Sequence, residues 1–162
     1  MVAYNKQAYQ KPIPMLYSYE ERFGFLVSDI ARLAGIQFDR RGRQRLVLSR
    51  AQCRVALYLS TLGPMSQAKL AETLDVTPMT VARMLDRMQE AGWVQRVPAP
   101  NDRRAFLVQV TDKVEDALGP ALAVGDEITE LAMQGLSGPE RQTLLKLLGK
   151  VHRNLASSQN ED

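Results

Sequence analysis

The chain has 162 residues, 45% hydrophobic and 24% charged, the mix of a protein that packs a core, and this length makes one compact domain or one small module with appended helices. A single cysteine, Cys53, and a single histidine, His152, exclude an intramolecular disulfide, a cysteine-cluster metal site and the usual histidine sites, so no cofactor is expected. No apolar run approaches the roughly 20 residues that span a bilayer, and MVAYNKQAYQKPIP is too polar for a signal peptide, which places the chain in the cytoplasm.

The net charge of +3 is unevenly spread: residues 1–110 hold 16 Lys and Arg against 9 Asp and Glu, residues 111–162 hold 5 against 9. The first part suits a polyanion and the acidic remainder some other task, although charge alone fits a solvated basic face equally well.

Residues 1–14, with Pro12 and Pro14, read as a flexible arm. Leu16, Tyr19, Phe23, Leu26, Ile30 and Leu33 then recur at helical steps from Met15 to Phe38, a long amphipathic helix whose stripe needs a partner. The run Arg40, Arg41, Arg43, Arg45 either continues that helix or loops out around Gly42, and the segment 15–45 is assigned to dimerisation. Ser49 and Gln52 have the spacing of a capping box for a second helix, apolar nearly all round and expected to be largely buried. Gly63 and Pro64 end it, and Ser66 caps a short third helix with Leu70, Ala71 and Leu74 on one face.

Asp75 makes a turn, Thr77 caps a fourth helix over about 77–91 with Pro78 in its first turn, and Gly92 ends it. Alternating segments 93–97 and 105–110 form a β-hairpin around a long basic tip, 98–104. Thr111 is expected to cap a fifth helix, kinked at Gly119-Pro120, and Ser137, Pro139 and Glu140 start a sixth. Residues 112–157 are thus C-terminal dimerisation helices, and 158–162 a disordered tail.

The stretch QAKLAETLDVTPMTVARMLDRM, residues 67–88, has the spacing of a helix-turn-helix: Ala71 is small where two helices cross, and Leu70, Leu74, Val76, Val81 and Met84 fill the core between them. Met79, Thr80, Arg83 and Arg87 then project outward, where Arg83 can read a guanine edge and Thr80 and Met79 a phosphate or a thymine methyl. Ser66, Gln67, Thr77 and Pro78 complete the expected contact set at the two helix starts, with Arg103 and Arg104 on the hairpin tip reaching phosphates or a narrow minor groove. The plain alternative is that these arginines are solvated surface charges. Pairing a reading helix with a basic hairpin in the segment 46–111 favours double-stranded DNA binding.

LSRAQCRVALYL and VARMLDRMQEAGWVQRVPAPNDRRAFLVQVT resemble the MarR/SlyA family of winged helix-turn-helix regulators, over roughly residues 17–156. The resemblance implies a mainly α fold with a small β-hairpin wing, and a homodimeric, repressor-like regulator of a pseudo-palindromic operator. It implies that Arg104 is the wing arginine, that Asp102 holds its loop and that Asp86 pairs with it. It also implies a small aromatic or phenolic effector in a cleft between dimer helices and DNA-binding lobe, for which Tyr17, Tyr19, Phe23, Phe25 and Trp93 are candidates. Aromatics at such spacing also serve as core. Cys53, in an apolar helix, reads as a core thiol.

An enzyme is disfavoured: the sequence has no phosphate-cradling glycine loop, no Ser/His/Asp set and no metal-ligand spacing. A winged helix used only to bind another protein is the remaining rival.

Overall fold

The computed structural model of the chain describes residues 22–100 and 102–158, without the side chains of Arg103 and Ser158. The expected arm at 1–14, Tyr17, Tyr19 and residues 159–162 lie outside the described residues. In chain order come α1 (Phe23–Gly42), α2 (Arg50–Leu62), α3 (Gln67–Leu74), α4 (Pro78–Glu90), β1 (Val94–Ala99), β2 (Asp102–Val110), α5 (Lys113–Ala132) and α6 (Gly138–Ser158). The fold class is thus mainly α with one antiparallel hairpin.

The arginine run continues α1 as far as Gly42, where Leu46 folds back so closely that a Cβ at Gly42 would lie 2.7 Å from its methyl. Just beyond, the Arg45 guanidinium grips both carboxylate oxygens of Glu127 on α5, at 3.0 and 2.8 Å, with Arg41 at 3.8 Å. This pairing holds the Glu127 carboxyl below its ordinary range. A carboxyl so held adds stability at neutral pH, lost as acid protonates it.

Ser49 and Gln52 close a complete capping box at the start of α2. The expected all-round burial of this helix fails, however: Cys53, Val55, Ala56 and Leu59 enter the core, while Arg50, Arg54 and Leu57 face outward. The helix therefore has two working faces. Ser66 caps α3 by accepting the Lys69 N–H, and Thr77 caps α4 by accepting the Thr80 N–H, with Pro78 in the first turn where its missing donor costs nothing.

Between them Asp75 adopts the left-handed conformation, φ 55°, and its N–H closes on the carbonyls of Ala71 and Glu72. A consequence is that Val76, expected in the core, is 38% exposed, because the left-handed residue turns the chain outward before the next cap. Leu70, Leu74, Val81, Leu85 and Met88 fill the interface between the two helices. The same core runs through Val94 and Val108 of the hairpin and on into α5 at Val114, Ala117, Leu118 and Ala121.

The strands pair from Val94↔Val110 to Pro98↔Phe106, then jump to Ala99↔Asp102. Both strands extend further toward the tip than expected, so Arg103, Arg104 and Ala105 form a bulge in β2 rather than part of a long loop. On its other edge β2 meets Met65, with Met65 N–H to the Val108 carbonyl at 3.1 Å and Val108 N–H to the Met65 carbonyl at 2.9 Å. Thr111 does not cap α5: its hydroxyl donates to the Gly92 carbonyl at 2.6 Å, and Asp112 occupies the cap position without a side-chain bond. The helix runs continuously through Pro120.

Ser137 N–H donates to Glu140 at the start of α6 at 2.8 Å, and that helix extends to Ser158, the first residue of the expected tail. Among its described residues none is buried, and Leu144, Leu145, Leu147, Leu148 and Leu155 stand exposed with Phe23, Leu26, Ile30 and Leu33 of α1.

Because a left-handed L-residue carries a steric cost that glycine escapes, and no bond of the Asp75 side chain to another described residue offsets it, Asp75→Gly should stabilise the fold by about 1 kcal/mol. Urea denaturation at fixed protein concentration measures it, and an unchanged midpoint would refute the assignment of strain to this turn.

Candidate nucleic-acid interface

At 100° per residue, burial of Val81, Met84, Leu85 and Met88 fixes where every other side chain of α4 points. Thr80, Arg83 and Arg87 fall on one exposed flank and Gln89 on the other, with Met79 and Asp86 in line with each other between them. Met79 is 63% exposed at the first turn. No hydrogen bond or ion pair to another described residue engages the Arg83 or Arg87 guanidinium, whereas the Thr77 and Thr80 hydroxyls bond each other at 2.9 Å. Ser66 and Gln67, half-buried, sit at the start of α3. Free cations, a capped helix start and an exposed methionine thus share one surface, positive at the helix N-terminus.

The opposite flank faces the hairpin. Arg96, in β1, donates to Asp86 Oδ1 at 2.7 Å and to Gln89 Oε1 at 2.8 Å. The expected pairing of Asp86 with Arg104 is therefore corrected: the partner is Arg96, which lies directly over α4 once Gly92 has reversed the chain. Sequence reasoning missed Arg96. The available signal was the Asp86/Gln89 pair three residues apart, one helical face offering two acceptors to whatever strand returned over it. Asp102 Oδ1 accepts the Arg104 N–H at 2.9 Å, which pins the bulge and leaves the Arg104 side chain exposed.

The C-terminal end of α4 is fastened to α5. The Lys113 ammonium donates to the Ala91 carbonyl at 2.7 Å and lies 5.7 Å from the centre of the Trp93 ring, beside the bond from Thr111 to Gly92. A cation on the last carbonyls complements the helix dipole, and the ring face adds to it.

A groove of about 450 Å³ opens between α1, α2 and α5, lined by Gly35 and Phe38, by Arg50, Cys53, Arg54 and Leu57, and by Leu118 and Leu122 among others. Neither Phe23 nor Trp93 lines it: Phe23 is 53% exposed at the start of α1, and Trp93 packs against the core beneath Lys113. Those two aromatics do not share a cavity because they sit on elements that α2 and α4 hold apart. Cys53 does line the groove, and burial pushes its thiol above the ordinary range, which keeps it protonated and a poor nucleophile near neutral pH.

A short helix, a left-handed turn, a second capped helix and a paired hairpin define a winged helix-turn-helix protein. Residues 48–106 match the MarR family. The crystal structure of wild-type MarR in its apo form from E. coli superposes with a TM-score of 0.72 at 27% identity, over 80% of this chain and 96% of that one. A cysteine-to-serine variant of the E. coli protein, complexed with operator DNA, gives 0.65 at 28% identity over 79% and 91%. A probable transcriptional regulator from Pseudomonas aeruginosa gives 0.66 at 25% identity over 83% and 99%. Residues 48–106 thus carry the pattern of the MarR family, and over 80% of the chain the fold is that of the E. coli MarR structure. No helix of the described residues is long and apolar enough to cross a membrane.

The Asp86–Arg96 contact is partly exposed, so its coupling should be small. A double-mutant cycle on Asp86→Ala and Arg96→Ala, read by denaturant unfolding, should give about 0.2–1 kcal/mol of coupling. Additive single variants would show that the pair does not hold the hairpin to α4.

Proposed function

We propose that the chain is a sequence-specific, double-stranded-DNA-binding transcriptional regulator of the repressor type, acting in the cytoplasm as a homodimer. In this reading residues 46–111 bind DNA, and residues 15–45 and 112–157 carry the dimer. Its α4 enters the major groove with Met79, Thr80, Arg83 and Arg87, and the bulge bearing Arg103 and Arg104 reaches the minor groove. The carrying observation is that Arg83 and Arg87, without partners among the described residues, stand on the one side of α4 left free by both core and hairpin. The related MarR structure complexed with operator DNA supports the same use of the lobe.

Dimerisation rests on the exposed apolar residues of α1 and α6, too extensive for a monomer to leave wet. Two copies of α4 related by a two-fold axis call for an imperfect inverted repeat with half-sites about 10 bp apart. A small aromatic or phenolic effector would act from the groove between α1, α2 and α5, shifting the dimer to a geometry that no longer fits the operator. The groove is walled by helices from both halves of this division, which supports that role.

Selection from a random DNA pool supplies an operator for fluorescence anisotropy. Affinity should fall by ~10³ to 10⁵ between about 50 and 200 mM salt, the behaviour of phosphate neutralisation, whereas a protein-binding module should barely respond. Arg104→Ala should cost roughly 1–3 kcal/mol of binding and lower the salt slope by about one, with Arg103→Ala costing less and the dimer mass unchanged in sedimentation. Near-native affinity for Arg104→Ala, or a folded monomer at micromolar concentration, would contradict the reading.

A further inference from the structure

The hairpin carries one large apolar side chain that the packing of the lobe leaves unexplained. Residues opposite each other on paired strands share a face, and the face alternates along each strand. Val108 is buried and pairs with Arg96, which reaches Asp86 and Gln89 of α4, so this face of the hairpin is the one turned toward the lobe. Two residues nearer the tip the same face presents Phe106 opposite Pro98. A phenylalanine on an inward face normally packs, yet Phe106 is 54% exposed and Pro98 is exposed beside it.

The path of β1 places this pair. The strand runs back along α4 from Gly92, and two residues beyond Arg96 it has advanced about 6.6 Å, more than one helical turn. Phe106 and Pro98 thus stand level with the N-terminal half of α4, and their exposure shows that the hairpin has parted from the helix by then. The row of α4 that Arg96 meets at Asp86 ends at exposed Met79, so the opening between helix and wing has an apolar residue on each side. Two positions from Phe106 the Arg104 side chain is exposed, with no ion pair among the described residues.

One sugar–phosphate strand separates a major groove from the minor groove beside it. A protein with α4 in the first and its wing tip in the second straddles that strand. The phosphates of such a strand meet cations, whereas its deoxyribose rings present carbon and hydrogen along the groove wall. We propose that Phe106, backed by Pro98, packs on the deoxyribose of the strand that passes between α4 and the wing. The proposal rests on the DNA-binding reading and adds to it a contact that is apolar where those of the arginines are ionic.

Hydroxyl radicals cut DNA by attacking deoxyribose, so footprinting with them reads this contact directly, while methylation of guanine N7 by dimethyl sulfate reads α4 in the major groove separately. On an operator selected from a random pool, Phe106→Ala should expose sugars flanking each α4 site that the wild type protects, and leave guanine protection in place. Its affinity should fall about tenfold, the scale of uncovering part of an aromatic side chain. The salt slope should stay that of the wild type, because no phosphate contact is lost, unlike in Arg104→Ala. Phe106→Leu should retain most of the affinity and of the sugar protection.

Unchanged sugar protection in Phe106→Ala would overturn the assignment, and so would a salt slope that falls with its affinity, as a displaced wing would give. Both variants should keep the urea midpoint, since the residue is more than half exposed, and a large fall in it would mark Phe106 as structural and equally refute the contact. A changed dimer mass in sedimentation would do the same by showing that a second copy covers the residue. Wild-type protein that leaves no footprint on any selected duplex would defeat the DNA-binding reading itself, whereas guanine protection without any effect of Phe106→Ala on the sugars is a failure of this inference alone.

Discussion

The burial of Val81, Leu85 and Met88 is the constraint on which the rest of the structure depends. Three fully buried side chains, spaced at three and four residues, fix the rotation of α4 about its own axis, and an apolar face once buried is expensive to turn toward water. All else on the helix follows by angle. Arg83 and Arg87 are left facing solvent, Asp86 and Gln89 are left facing the returning strand, and the cap at Thr77 sets where the helix begins.

That fixed rotation would be of little use if the helix could shift along its axis, and the contacts at its end prevent this. Ala91 and Gly92, just past the end of α4, accept bonds from Lys113, the first residue of α5, and from Thr111 in the connection before it. The core itself passes across the same junction, from Val108 to Val114 and Ala117. Lobe and long helix are thus one packed body at this point, and a movement of α5 carries the C-terminal end of α4 with it.

What was legible in the sequence was local. Ser49, Ser66 and Thr77 announce their helices because a cap is satisfied within three residues, and Asp75 announces its turn because few side chains tolerate that backbone. What was not legible depended on elements distant in the chain. Arg96 looks like any strand arginine until β1 lies over α4, and Thr111 looks like a cap until Gly92 comes within reach. The groove was invisible for the same reason: its walls come from three helices, and the aromatic residues that suggested it, Phe23 and Trp93, are elsewhere. The second helix reads as largely buried because apolar residues recur nearly all round it, although Leu57 lies at the surface of the groove.

Among the described residues the outer side of β1 is an open margin of the hairpin, and the other side of β2 is met only at Val108, by Met65. An open strand margin is a template on which another chain can add, and a dimer would bring two of them into the same assembly. The margin here is six residues long and contains Pro98, which has no N–H to offer an incoming strand, and its partner strand is bent by the bulge at Arg103 to Ala105. Short length, proline and bend together make the hairpin a poor seed for sheet growth, so it can stay exposed at high local concentration without zipping onto its neighbours.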